Sequence, residues 1–281
     1  MKNSSLNKDR TEAREFQTAS SGIFFNVRKV LYDRKSEFQR IEIIENREYG
    51  RVLFLDGLVQ TTEKDEFYYH EMLVHPAMAS HPNPRRVLII GGGDGGALRE
   101  VLRHPVERAW MVEIDGRVIE ACREHFGWLE PSLAGGRAEL VVGDGNVFIR
   151  EAKEKFDVIL VDSSDPVGPS TVLHEEGFYR KLRARLRPGG IIAAQAGSLV
   201  LHQDQHVAKI RFLRRMFSHP RFYLGPVPTY PVGTWCYTFL SDAVDPTSKK
   251  ALRVPEGLKY YNPDIHRAAF ALPNFLKAKL G

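Results

Sequence analysis

The chain has 281 residues, 43% of them apolar, and a formal net charge of +5 at pH 7. That apolar share supports a real core in one or two domains, and no run approaches the ~18 uninterrupted apolar residues of a membrane span. Only two cysteines, Cys122 and Cys236, argue against a disulfide framework and for a reducing, cytoplasmic setting. The polar stretch Met1 to Arg14 lacks the apolar segment of a secretory signal, so none is expected. The basic residues are dispersed. Their densest cluster, Arg180 to Arg187, alternates with apolar residues at helical spacing and reads as a solvated helix face. With no aromatic platform beside it, nucleic acid is not an expected partner.

From Ile23 to about Leu58 the chain alternates apolar and polar residues: Phe25 to Leu31, Phe38 to Glu45 and Val52 to Leu55. Tyr49-Gly50 and Asp56-Gly57 separate the later segments, which is hairpin chemistry. Glu63 to Met78 predicts a helix, and His81-Pro82-Asn83-Pro84 breaks the chain. Strand and helix then alternate. Strands are expected at Arg86 to Ile90, Trp110 to Ile114, Glu139 to Val142, Val158 to Val161 and Ile191 to Gln195. Helices are expected at Gly96 to Arg103, Arg117 to Phe126, Val147 to Lys153, Phe178 to Leu186 and Gln205 to Phe217. Phe222 to Val227 and Trp235 to Leu240 read as closing strands. The fold class is therefore α/β, a doubly wound sheet preceded by a small antiparallel β module. The expected division is 1–80 for the β module with a connecting helix, and 81–281 for the α/β domain.

Ligands of open parallel sheets bind at the carboxyl ends of the strands, and here those ends carry acids. The first α/β strand runs into Gly91-Gly92-Gly93-Asp94-Gly95-Gly96, the second ends at Glu113 and the third at Asp144. Asp94 would repel a pyrophosphate, so the pattern favours an adenosine without phosphates over a dinucleotide. Glu113 suits the ribose hydroxyls and Asp144 the adenine amine. Asp144 suits a helix N-cap equally well. The fourth strand ends in Asp162-Ser163-Ser164-Asp165-Pro166-Val167-Gly168-Pro169, two acids on a stiff loop, which suits a cationic ligand. Asp165 before Pro166 also fits plain turn chemistry. His70, His75 and His81 follow no recognised metal-ligand spacing, and no metal is expected.

The chain resembles the spermidine synthases, the polyamine aminopropyltransferases. The resemblance rests on D-G-L-V-Q-T-T-E-K-D-E-F-Y-Y-H-E-M at Asp56 to Met72 and on the glycine-rich segment His81 to Gly96. It extends to V-E-I-D at Val112 to Asp115, V-G-D-G at Val142 to Gly145, D-S-S-D-P-V-G-P at Asp162 to Pro169, P-T-Y-P at Pro228 to Pro231, and Tyr260 to Phe270. It implies a small N-terminal β domain on a methyltransferase-like (class I, Rossmann-like) domain, assembled as a homodimer or homotetramer. It also implies transfer of the aminopropyl group of decarboxylated S-adenosylmethionine, a co-substrate rather than a cofactor, to putrescine. The products would be spermidine and methylthioadenosine.

Carried over by motif, Gln39, Glu113, Asp144 and Gly145 belong to the donor site, and Asp94, helped by His70 and Asp162, would take the donor's amine. Tyr69, Asp165, Gln195, Tyr230 and Trp235 belong to the acceptor site, with Asp162 as the catalytic base. The chain departs from some relatives at His70, where they carry glutamine. It departs again at Thr18, near the place of a tryptophan that closes the site. Either a nearby aromatic, Phe16 or Phe24, takes that role, or the cover is looser. Other readings are the same chemistry on agmatine, cadaverine or spermidine, a methyltransferase, or a non-catalytic polyamine binder. Asp94 and the Asp162/Asp165 pair argue against the methyltransferase.

Overall fold

The computed structural model describes residues 10–164, 168–230, 232–248 and 250–280. β1 (Glu12–Thr18) and β2 (Ser21–Asn26) form an antiparallel hairpin. β3 (Lys29–Lys35), β4 (Arg40–Asn46), β5 (Gly50–Leu55) and β6 (Leu58–Thr62) form an antiparallel meander. Asp56 and Gly57, at φ +48° and +81°, make the tight turn between β5 and β6. Such turns need positive φ at both positions, which is why Asp-Gly stands there. The strand expected across Phe25 to Leu31 is in fact two. The amide of Val27 bonds the Thr11 carbonyl and that of Arg28 the Glu45 carbonyl, so the two halves pair with different strands.

α1 (Glu66–Ser80) follows, and every residue from Tyr69 to Ala79 is buried. A helix buried on all faces sits in the interior rather than on a surface. β7 (Arg86–Gly91), α2 (Gly96–Leu102), β8 (Arg108–Glu113), α3 (Gly116–His125), α4 (Leu129–Ala134) and β9 (Ala138–Val142) come next. Then follow α5 (Gly145–Glu151), β10 (Phe156–Asp162), a 3-10 turn (Gly168–His174), α6 (Glu176–Ala184), β11 (Leu186–Ser198) and α7 (Gln203–Met216). β12 (Arg221–Pro226), β13 (Thr234–Ser241), α8 (Pro263–Ala269) and α9 (Asn274–Leu280) close the chain. The large sheet has the order β12-β13-β11-β10-β7-β8-β9, parallel from β11 to β9 and antiparallel at β13 and β12. This is the Rossmann-like sheet with an antiparallel N-terminal part that the sequence led us to expect.

Both faces of the sheet are covered. Val87 and Ile89 of β7 point into the core layer that includes α1 and α2, and Leu88 and Ile90 into the layer that includes α6 and α7. All four are at most 1% exposed, and burying each such side chain contributes about 1.5–3 kcal/mol. The order reverses between β7 and β10: β7 continues to β8 on one side, β10 to β11 on the other. That switch point opens a crevice at the strand ends, where ligands bind in such sheets. No helix among the described residues is long and apolar enough to cross a membrane.

Candidate functional site

Glycines bring the ends of β7 and β10 together. Gly91 lies opposite Asp162 in the sheet register and has φ +86°. A Cβ there would lie 2.1 Å from the Asp162 carbonyl oxygen, so no larger residue permits this approach. The Gly92 amide then bonds that carbonyl at 3.1 Å. At Gly93 a Cβ would come within 2.9 Å of the Glu113 side chain. A cavity of about 300 Å³ results, and every residue assigned above to the donor site, the acceptor site or the catalytic base lines it except Asp165. Asp165 lies outside the described residues.

On one side of the cavity, Glu113 accepts from the Asp115 amide at 2.9 Å. Asp115 is itself buried, and its carboxylate accepts from Gln39 at 3.0 Å and from Ser36 at 2.6 Å. The N-terminal meander is thereby tied to the end of β8. Asp144 accepts from the amides of Asn146 and Val147 and so caps α5. It also lines the cavity, so capping α5 does not take it away from the candidate site. Gly145 is needed for packing, since a Cβ would lie 2.4 Å from Ile90. Asp94 accepts from the Gly96 amide at 2.9 Å and faces His70 at 3.3 Å, while Trp128 donates to the Asp94 carbonyl at 2.7 Å.

On the other side, the Tyr69 hydroxyl donates to Asp162 at 2.6 Å. Gln195 donates to the Ser163 carbonyl at 2.7 Å and accepts from the Trp235 indole at 3.1 Å. The Tyr230 ring packs edge-on against Trp235 at 4.7 Å and donates from its hydroxyl to the Gln60 carbonyl at 2.6 Å. The Tyr69, Tyr230 and Trp235 rings thus wall a pocket whose charged floor is Asp162.

Residues 66–250 match the spermine/spermidine synthase domain, and residues 13–63 the spermidine synthase tetramerisation domain. A polyamine aminopropyltransferase of Leptospira biflexa is 46% identical over 91% of this chain and 92% of that protein. One of Shouchella clausii is 43% identical over 94% and 96%. A crystal structure of spermidine synthase in complex with the transition state analogue AdoDATO superposes with a TM-score of 0.92 at 42% identity, covering 97% of this chain and 96% of that one. The chain belongs to the spermidine synthase family. It is an enzyme of the polyamine aminopropyltransferase type.

The electrostatics suit an aminopropyltransferase. Burial lifts the Asp162 carboxyl to about 6; Asp94 nearby adds to the rise, while His70 and the Tyr69 hydroxyl restrain it. Burial lifts Glu113 further, to about 7. For Asp94, burial is outweighed by His70, the Gly96 amide and Arg99, and its pKa falls below the usual value. Burial also opposes charge on His70, yet Asp94 and Glu66, one at each ring nitrogen, raise it well above its usual value. Neighbouring acids with unlike proton affinities mark a site that divides labour between them.

One expectation needs correction. Phe16 and Phe24 do not close the site: they are 65% and 62% exposed, and neither lines the cavity. In their hairpin, Glu15 and Gln17 line it instead. Side chains alternate along a strand, so β1 turns Phe16 away when it turns its neighbours inward. The sequence reading also missed Glu66, Arg99 and Asp115, which hold other site residues in place. Glu66 stood four residues before His70 in an expected helix, a spacing that puts both on one face. Nothing local pointed to Glu15, whose carboxylate accepts from the Val59 amide at 2.7 Å.

Proposed function

We propose that this enzyme transfers the aminopropyl group of decarboxylated S-adenosylmethionine to putrescine, giving spermidine and methylthioadenosine. The observation that supports this best is Asp162, an acid lifted to about 6 in the cavity that Tyr69, Tyr230 and Trp235 also line. A diamine's ammonium has a pKa near 10.4 and cannot attack until it loses a proton. Asp162 accepts that proton, and Tyr69 holds the accepting carboxylate in place. The freed nitrogen attacks the carbon beside the sulfonium. The N–C bond forms, the C–S bond breaks, and its electron pair neutralises sulfur in the departing methylthioadenosine. The leaving group is already charged, so no acid is needed there. Alignment of nitrogen, carbon and sulfur supplies much of the rate.

Gln39, Glu113, Asp144 and Gly145 hold the nucleoside, and Asp94 with His70 takes the donor's ammonium. Intact S-adenosylmethionine would bring a carboxylate against Asp94, and like charge rejects it. Gln195, Tyr230, Trp235 and Asp165 hold the acceptor, with Asp165 at its far amine. No metal is assigned. His70, Asp94 and Asp162 do place ligand atoms within 4.8 Å of one another, but a carboxylate faces each ring nitrogen of His70. Such a ring has no lone pair to offer.

We further assign residues 1–80 as the assembly module with α1 as its connector, residues 81–281 as the transferase domain, the whole as a homotetramer, and the cytoplasm as its location. The match of residues 13–63 to a tetramerisation domain supports the tetramer. The reaction is tested by offering decarboxylated S-adenosylmethionine with putrescine, cadaverine, agmatine and spermidine together. Spermidine should dominate the products. A different major product would reject putrescine as acceptor, and no methylthioadenosine would reject the reaction.

A further inference from the structure

His70 is buried and has a carboxylate on each side. Its Nδ1 lies 2.7 Å from Glu66 and its Nε2 3.3 Å from Asp94. Facing carboxylates on both sides, each nitrogen must carry a hydrogen, which makes the ring an imidazolium. Glu66 in turn receives Arg99 at 2.7 Å, and Arg99 also bonds Glu100 at 2.7 Å. The groups facing the ring are Glu66 and Tyr69 of α1, Asp94 of the glycine-rich loop, Arg99 of α2, and Asp162 at the end of β10. Close packing fixes the ring as well: a Cβ on Gly96 would lie 2.2 Å from its Cε1.

We propose that Glu66 and Arg99 are positioning residues of the donor site. Through His70 they form a buried line of alternating charge, Arg99–Glu66–His70–Asp94, that aims the Asp94 carboxylate at the donor's ammonium. The assignment rests on the aminopropyl-transfer reading for Asp94. The Gly96 amide holds one Asp94 oxygen and His70 the other, so the carboxylate cannot rotate away. Without Glu66, His70 would face one acid rather than two and would lose its proton at lower pH. The anchor on Asp94 would then weaken. Buried chains of this kind act as a unit, so the loss of one member is felt at the far end.

The test joins a titration with kinetics. In the wild-type enzyme, NMR of 15N-labelled histidine should show the His70 ring still protonated at a pH where an ordinary histidine is neutral. Glu66→Gln should release that proton at a lower pH than in the wild type and raise the donor KM about tenfold with kcat changed little, the loss expected when a supporting partner is removed. In a His70→Gln background the same change should add almost nothing, because Glu66 acts through the ring. A neutral ring in the wild type, an unchanged donor KM, or full additivity in the double variant would each overturn the proposal. The wild-type titration decides even where Glu66→Gln does not fold. It needs no turnover, so failure of the relay is distinguishable from failure of the reaction assignment.

Discussion

At the residue scale, function depends on acids whose surroundings pull their proton affinities apart. Asp94 stays ionised because His70, Gly96 and Arg99 outweigh its burial, whereas at Asp162 the pull of His70 and Tyr69 does not offset burial and the charge of Asp94, and it rises to about 6. In the proposed mechanism the ionised form of Asp162 is the working one, so activity should rise with pH through that value. We expect kcat/KM for the amine to fall about tenfold per pH unit well below 6, since that parameter reports the free enzyme's groups. Asp162→Asn should lower kcat by about 10²–10⁴-fold, the usual worth of a positioned base, and abolish that acid limb. Equilibrium binding of methylthioadenosine should change little. A variant turning over at near wild-type rate would remove Asp162 from its role. These residue types were legible in the chain because each acid closes an apolar run. Their protonation was not, since it depends on neighbours from α1 and α2 that lie far apart in sequence.

At the element scale, the site is made by strand ends that meet. β7 and β10 are adjacent in the sheet although two strands, β8 and β9, come between them in chain order. Gly91 is where they touch, and both its positive φ and the carbonyl 2.1 Å from its missing Cβ exclude a side chain. Gly91→Ala should therefore destabilise the protein by on the order of 2–4 kcal/mol, from left-handed backbone strain plus a forced shift of β10. Urea unfolding measures this, and an unchanged midpoint would contradict the geometry. The long α/β elements were read within a few residues of their ends, because their periodicity is strong. The break at Val27 and Arg28 was not seen, because both halves alternate alike and only their partners differ. α4 is short and contains Pro131, too little for a helical period to show.

At the scale of the whole molecule, the N-terminal part does more than cover the core. Gln39 reaches Asp115 beneath Glu113, and Glu15 and Gln17 line the cavity. The same hairpin leaves Phe16 and Phe24 mostly exposed on its outer side. Exposed aromatic residues on a small sheet are what an assembly surface requires. We expect the double substitution Phe16→Glu and Phe24→Glu to lower the mass seen by light scattering, from the proposed tetramer toward smaller species. An unchanged mass would place the assembly surface elsewhere. The amino-acid sequence by itself determined the alternation of strands and helices, the acids at the strand ends and the family to which they belong, because these are local patterns repeated along the chain. Only the tertiary structure decided which side chains surround His70, why Asp162 is lifted and which face of β1 looks inward. Those outcomes depend on burial and on contacts between segments that the chain order keeps apart.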